Sequence, residues 1–253
     1  TEADTGSDPS RLKTRAVQSG DGSVVVNGMK RFSTFGARDG YAVLFAKDAS
    51  ETCTAFLIDK KLPGYTATPN YDLMGNGGVE ASDVYYDQVQ LPADSILGEP
   101  GKGMAVLTHW IAYEKIQQCA ACTGIAAAAL DEAVAHIKGS GDRKSPRTYH
   151  QGIKWMLAEM HASLQACRWL TYRSAGMKDT ADKNWMVEAA AAKIFVVPAA
   201  MDIVNKARTI HGAYGYTKDL KIERLYRAIA GASVIAVSLE VNKSFVGNHL
   251  LKG

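Results

Sequence analysis

The chain has 253 residues, 47% apolar and 22% charged, with 29 Lys and Arg against 26 Asp and Glu. That composition excludes a disordered or fibrous chain, and a net charge of +3 over this length gives no reason to expect a nucleic-acid partner. No segment approaches eighteen consecutive apolar residues, so no membrane span is expected, and the charged first twenty residues do not read as a signal peptide. Four cysteines in a chain of this kind read as reduced thiols, which points to a cytoplasmic setting.

The two halves differ in texture, and α+β is the expected class. The chain opens on Thr1-Glu2-Ala3-Asp4-Thr5-Gly6-Ser7-Asp8 without an initiator methionine, which reads as the interior of a longer protein or as a subunit with a missing part. Over residues 1–100, Gly and Pro punctuate β-branched and aromatic runs at Ser23–Val26, Tyr41–Ala46, Thr54–Ile58, Tyr65–Thr68 and Asp83–Tyr86. Val24-Val25-Val26-Asn27-Gly28 reads as a strand entering a tight turn, and six or seven short strands predict an antiparallel barrel or sandwich. Over residues 101–253, Ala, Leu, Glu and Lys dominate. Their pattern predicts four long helices at about 103–138, 148–177, 182–208 and 221–249, packed as an up-and-down four-helix bundle. Gly139-Ser140-Gly141 should end the first and Gly176 the second, and Pro198 should kink or divide the third. Runs of alanine at Ala126–Ala129 and Ala189–Ala192 allow close helix approach.

Several segments, in order, resemble the acyl-CoA dehydrogenase family. Thr1-Glu2-x-x-x-Gly6-Ser7-Asp8 is similar to the flavin-contacting motif that opens that family's β-domain. Asn27-Gly28-Met29-Lys30-Arg31-Phe32-Ser33-Thr34 resembles its N-G-x-K-x-W-I-T strand, and Asp83–Pro92 followed by Ile96-Leu97-Gly98 resembles the exit from that domain. His150-Gln151 and Met156–Met160 resemble the second bundle helix, and Ile210-His211-Gly212-Ala213-Tyr214-Gly215-Tyr216 the G-G-x-G-[FY] turn. The family's N-terminal helical domain would precede Thr1. The resemblance implies FAD as cofactor. Phe32, Ser33 and Thr34 would lie by its ring, Thr1, Gly6 and Ser7 nearby, and His150, Gln151, Thr209 and Gly212 along the rest of the cofactor. It also implies an acyl-CoA substrate, an electron-transfer flavoprotein as acceptor, and a homo-oligomer (dimer or tetramer) or heteromer.

Dehydrogenation of an acyl-CoA needs a carboxylate to take the α-proton while the β-hydrogen leaves as hydride. The family's Y-E-G-T glutamate is missing: the corresponding stretch reads Ile229-Ala230-Gly231-Ala232. A second family solution places the glutamate on the first bundle helix in an E-R-x-x-x-A pattern. Tyr113-Glu114-Lys115-Ile116-Gln117-Gln118-Cys119-Ala120 resembles it, with Lys115 in the arginine position and an ungapped distance to Leu130-Asp131-Glu132-Ala133. The residues themselves point the same way, because Glu114 falls on an apolar stripe with Leu107 and Ile111, where a carboxylate needs a task or a partner. A surface glutamate, or one paired with a cation from another helix, is the competing reading. Glu114 is the expected base, and Ser7, Tyr113, Lys115, Ala230 and Gly231 are the expected substrate contacts, the last two through backbone.

Other departures weaken the cofactor side. The family's R-x-x-F-G arginine falls roughly at Arg143 or Lys144, and its Q-x-x-G-G glutamine is replaced in Thr209-Ile210-His211-Gly212-Ala213. Two alternatives therefore stand beside the dehydrogenase: a non-catalytic or half-site subunit of a heteromer, and the same fold running oxidase or desulfinase chemistry. Cys119-x-x-Cys122 reads as helix packing, and His109, His136, His161 and His249 lack ligand spacing. Trp110, Trp155, Trp169 and Trp185 are expected in the bundle core.

Overall fold

The computed structural model describes residues 1–20, 22–139, 148, 150–235 and 237–252. By contact the chain divides into two compact units, Thr1–Leu73 with Gly77–Trp110, and Met74–Asn76 with Ile111–Gly253.

The first unit is a six-stranded sheet. Its strands are β1 (Arg15–Gln18), β2 (Val24–Thr34), β3 (Tyr41–Lys47), β4 (Cys53–Asp59), β5 (Tyr65–Ala67) and β6 (Ala81–Leu91), ordered β4-β3-β1-β2-β6-β5. The sheet is open, so a barrel or sandwich describes it only roughly. It is also mixed, because β1 meets β3 in parallel at Arg15 and Lys47 while every other pairing is antiparallel. Alternating apolar residues from five strands, among them Ala16, Val26, Leu44, Ile58 and Val89, close a core on one face.

The tight turn expected at Asn27-Gly28 does not form. β2 runs straight through it, pairing with β6 from Val24 to Thr34. Two bulges take up the irregularity. From Val26 to Gly28, β2 advances two residues while β6 advances three, leaving Gln88 at φ 51 as the extra residue. Asn27 Oδ1 accepts from the Gln88 backbone N–H and from Gln88 Nε2 at 3.0 and 2.9 Å, which holds the bulge. From Lys30 to Ser33 the imbalance reverses, and Phe32 at φ 52 is the extra residue on β2. The second bulge restores the inward–outward phase that the first one shifts. Gly28, at φ 146, is what lets β2 pass Thr14: a Cβ there would sit 2.7 Å from Thr14 Oγ1 and 2.8 Å from its Cα.

The second unit is helical. Its helices are α1 (Gly103–Lys138), α2 (Gln151–Asp179), α3 (Trp185–Ile210), α4 (Lys221–Ala230) and α5 (Leu239–Lys252), and the first turns of α1 belong by contact to the sheet unit. Gly103 explains that attachment, since a Cβ there would lie 2.7 Å from the Thr54 backbone carbon. Three expectations change. The fourth helix is two helices, separated by a short 3-10 turn at Gly231–Ser233 and an irregular stretch. α2 passes Gly176 to end at Asp179, with the Thr180 N–H donating back to the Gly176 carbonyl. α3 continues through Pro198 without dividing. The Gly139-Ser140-Gly141 stop lies partly outside the described residues.

The bundle core is small-residue packing around α3. Ala192, Val196, Val197, Ala200 and Ile203 are fully or almost fully buried and cluster with Cys119, Ala126, Ala129 and Ala133 of α1 and Met160, Leu164 and Cys167 of α2. All four cysteines are free and buried. The tryptophans do not fill this core: Trp185 is buried, packed in a smaller cluster with Ala112, Ile116 and Ala189, but Trp110, Trp155 and Trp169 are exposed. α1 is long and apolar enough by composition to cross a membrane, yet the side chains of one face line the bundle core.

Replacing Gly28 with alanine forces both a positive φ and a collision with Thr14. It is expected to cost about 3 kcal/mol of stability in denaturant unfolding, whereas Gly40→Ala, strained but with open space around it, costs less.

Candidate functional site

In the sheet unit, the Thr1–Asp8 segment is tied to β2 by a buried carboxylate. Glu2 is 6% exposed and accepts from Thr14 Oγ1 at 2.7 Å, from the Thr14 and Lys13 backbone N–H groups at 3.2 and 2.5 Å, and from Lys30 Nζ at 2.5 Å. Burial alone would raise its pKa. The hydrogen bonds and the Lys30 charge outweigh that and bring it down to about 2. Beside it the Arg31 backbone N–H donates to the Thr1 carbonyl at 2.9 Å, which places Thr1 against the strand one residue before Phe32. Asp8 caps the 3-10 turn Pro9–Arg11 through the Ser10 N–H, leaving Gly6 and Ser7 exposed on the loop between these anchors.

The end of β2 is an open aromatic and hydroxyl surface. Phe32 is 55% exposed, and its ring stacks on Tyr71 with centroids 4.7 Å apart and planes 22° apart. Tyr71 is held in turn: its hydroxyl donates to Asp83 Oδ1 at 2.8 Å and accepts from Arg31 Nη2 at 3.1 Å, while Arg31 Nε pairs with Asp83. Sequence reading missed Tyr71, because nothing in Pro69-Asn70-Tyr71-Asp72 marks a residue that stacks across to β2. Ser33 and Thr34 pair with Ser82 and Ala81 of β6, and their hydroxyls make no hydrogen bond among the described residues. The Ser82 hydroxyl is buried and unpartnered. An uncovered aromatic face with two unused hydroxyls alongside it is a donor set that suits a flavin ring.

In the helical unit, the buried stripe of α1 runs through Ala112, Ile116, Cys119, Cys122, Ala126 and Ala129, and Lys115 falls on it at 8% exposure. Glu114, expected on an apolar stripe with Leu107 and Ile111, is half-buried at the edge of this one. Burial raises the Glu114 pKa above its ordinary value, and the positive charge of Lys193 partly opposes that. The carboxyl makes no ion pair or hydrogen bond among the described residues. The competing reading of an outright pairing with a cation is thus only half met, by a charge that acts without contact. Lys115 turns its ammonium over the Phe245 ring, 5.2 Å from the centroid, and Lys178 does the same over the exposed ring of Tyr113 at 4.8 Å.

The remaining expected positions are spread over the bundle. His150 and Gln151 are exposed at the start of α2. Thr209 returns its hydroxyl to the Asn205 carbonyl at the end of α3, and Gly212 follows at φ 64 with open space around it. His211 between them is buried and structural, its Nδ1 2.8 Å from the Ala207 carbonyl and its ring against that of His136. Ala230 ends α4 and Gly231 opens the 3-10 turn that follows. Arg143 and Lys144 lie outside the described residues.

Comparison with known proteins decides the family. Residues 1–89 match the family model for the acyl-CoA dehydrogenase middle domain, and residues 101–251 that for the acyl-CoA dehydrogenase C-terminal domain. The chain belongs to the acyl-CoA dehydrogenase family. It is 35% identical over 256 residues to a 3-(aryl)acrylate reductase of Clostridium sporogenes, covering all of this chain and 67% of that protein. It is 32% identical to human mitochondrial short-chain specific acyl-CoA dehydrogenase, covering 99% of this chain and 61% of the other. Among solved structures, butyryl-CoA dehydrogenase from Megasphaera elsdenii superposes with a TM-score of 0.95 at 32% identity, covering 99% of this chain and 66% of that one. The chain thus spans about two thirds of the length of these relatives. As a member of the acyl-CoA dehydrogenase family it is a flavoprotein oxidoreductase whose cofactor is FAD.

Glu2→Ala removes the anchor of the Thr1–Asp8 segment and leaves the Lys30 ammonium, itself largely buried, without its partner. A loss of about 3 kcal/mol is expected in urea unfolding at pH 7. Because the folded pKa is depressed, the stabilisation from Glu2 is present above its ordinary pKa of 4.5 and fades as pH falls through about 2. Wild type and variant should therefore converge in stability at strongly acidic pH. A constant gap down to that pH would contradict the assignment.

Proposed function

We propose that this chain carries the proton-transfer residue of an α,β-oxidoreduction of a CoA thioester, and that Glu114 is that residue. The observation that carries the reading is a half-buried carboxyl, with its pKa raised by burial, that is left without a hydrogen bond or ion pair. A structural carboxylate in such a position is normally neutralised by a partner, as Glu2 is in the sheet unit. One whose pKa is raised by burial and that is left open suits a group that must both take and give a proton.

FAD supplies the hydride partner when bound. This chain's residues supply the rest. The unused hydroxyls of Ser33 and Thr34 and the open face of Phe32 would orient the ring, with Thr1 and the exposed Gly6-Ser7 loop beside them. His150, Gln151, Thr209 and Gly212 would meet the remainder of the cofactor. Ionised Glu114 would take the α-proton. Tyr113, Lys115, Ser7 and the backbone at Ala230 and Gly231 would bound the acyl-CoA.

Direction is open to the same carboxyl. Run in reverse, protonated Glu114 would deliver the α-proton to an enoyl thioester. The relatives include enzymes named for that direction, among them a caffeyl-CoA reductase–Etf complex subunit of Acetobacterium woodii at 32% identity. An electron-transfer flavoprotein as redox partner, an oligomeric assembly and a cytoplasmic setting complete the proposal, the last supported by four unpaired cysteines. A purely non-catalytic subunit is not favoured, since the relatives named above are reductases and dehydrogenases.

Glu114→Gln in the full-length protein is expected to lower the rate of flavin bleaching by acyl-CoA by about 10²- to 10⁴-fold while leaving the flavin spectrum in place. In the dehydrogenation direction the wild-type rate should fall as pH drops through a value above the ordinary 4.5 of a glutamate, because only the carboxylate accepts the proton. An undiminished rate in the glutamine variant would remove Glu114 as the base.

A further inference from the structure

Lys193 is the largest fully buried side chain among the described residues, set on α3 between Ala189, Ala190, Val196 and Val197. A methionine would fit such a place at far lower desolvation cost. The ammonium is instead spent on backbone: Nζ donates to the Ile235 and Val237 carbonyls, both at 2.6 Å. Two other helices send a polar side chain to the same connection between α4 and α5. Gln118 of α1 donates Nε2 to the Ala232 and Ile235 carbonyls at 3.1 and 3.3 Å, leaving its own Oε1 buried and unpartnered. Asn242 of α5 donates to the Ser238 carbonyl at 2.8 Å.

The connection they hold is strained. Val237, a β-branched residue, sits at φ 72, a conformation that persists only where the surroundings over-determine it. The carbonyls point inward, and Val234 and Ile235 turn their side chains outward, 74% and 46% exposed. Gln118 lies one helical turn beyond Glu114 on the same face of α1, so the clamped connection packs beside the proposed base.

We propose that Lys193 is a positioning residue for the reaction assigned to Glu114: its buried ammonium pins the α4–α5 connection against the Glu114–Gln118 face of α1 and fixes the wall beside that carboxyl. This rests on the reading of Glu114 as the proton-transfer residue. The ionisable groups that act on Lys193 are Lys115, Glu114, Cys119 and Cys122, all from α1; from the connection it meets the Ile235 and Val237 carbonyls. Of these groups Glu114 is the carboxyl, and burial pushes both thiols up, to about 12 and about 11, away from the thiolate. Losing the cation therefore costs the connection its clamp and Glu114 the one nearby charge that favours its ionised form.

The test uses Lys193→Met in the full-length flavoprotein, with two measurements. Amide hydrogen exchange in the peptide spanning the α4–α5 connection should accelerate at least about tenfold while the α1 and α3 cores stay protected. The acid limb of the pH profile for flavin bleaching by acyl-CoA should move to higher pH, with kcat falling by up to about 100-fold and KM changing less. Unchanged exchange overturns the proposal. So does faster exchange with an unmoved acid limb, which would make Lys193 a structural clamp only. If the methionine variant does not fold, Lys193→Gln carries the same two measurements. Full activity in Glu114→Gln would instead strike the base assignment, and the exchange result would stand apart from it.

Discussion

A charge removed from water has to be met by dipoles or by opposite charge, and in both units that requirement fixes the segments proposed to carry chemistry. In the sheet unit, Glu2 gathers two backbone N–H groups, a hydroxyl and an ammonium, and the loop bearing Gly6 and Ser7 is thereby held to β2. In the bundle, Lys193 gathers carbonyls from Ile235 and Val237, which follow the 3-10 turn at Gly231–Ser233 and precede α5. Neither arrangement gains much over an apolar core of the same volume. What each provides is one backbone path instead of several, because a buried charge penalises every path that leaves it unmatched.

The paired bulges of the sheet work on the same scale. Either alone would leave β2 and β6 facing out of phase beyond it, since the first adds its residue to β6 and the second to β2. Together they keep Val24, Val26 and Val84 inward and still leave Phe32 on a positive φ, with its ring lifted onto Tyr71. The strain at Phe32 is offset by that stacking and by the Arg31–Asp83–Tyr71 network, so the aromatic face is presented by rigid elements and not by a loop.

Much of this was legible in the sequence. The break between Gly/Pro-punctuated strands and Ala-rich helices, and the place of every strand but the short β1, follow from patterns that backbone chemistry imposes locally. What escaped depended on partners far along the chain. Asn27-Gly28 has the composition of a turn, and only Gln88, sixty-one residues away, makes it a bulge. Four tryptophans look like core, and three of them are exposed, since the small residues around α3 fill the core without them. Glu2 looked like one letter of a flavin motif, and its burial depends on Thr14 and Lys30. Lys193, in Ala-Ala-Lys-Ile-Phe, gave no sign of standing apart from any lysine on a helix, because the carbonyls it serves lie some forty residues further on.

The balance of burial against charge at Glu114 bears on which way the reaction can run. Burial of a carboxyl favours its protonated form, the one that can donate to an enoyl thioester. One paired directly with a cation would stay ionised and serve only as a base. Glu114 sits between these limits: it is desolvated enough to rise above its ordinary pKa and is restrained by a cation that does not touch it. With Glu114 as the proposed proton-transfer residue, burial favours its acid form and the Lys193 charge its carboxylate, and the direction of the reaction falls to the potential of the electron partner. Relatives named as dehydrogenases and relatives named as reductases, at similar identity to one chain, are what such a site would be expected to give rise to.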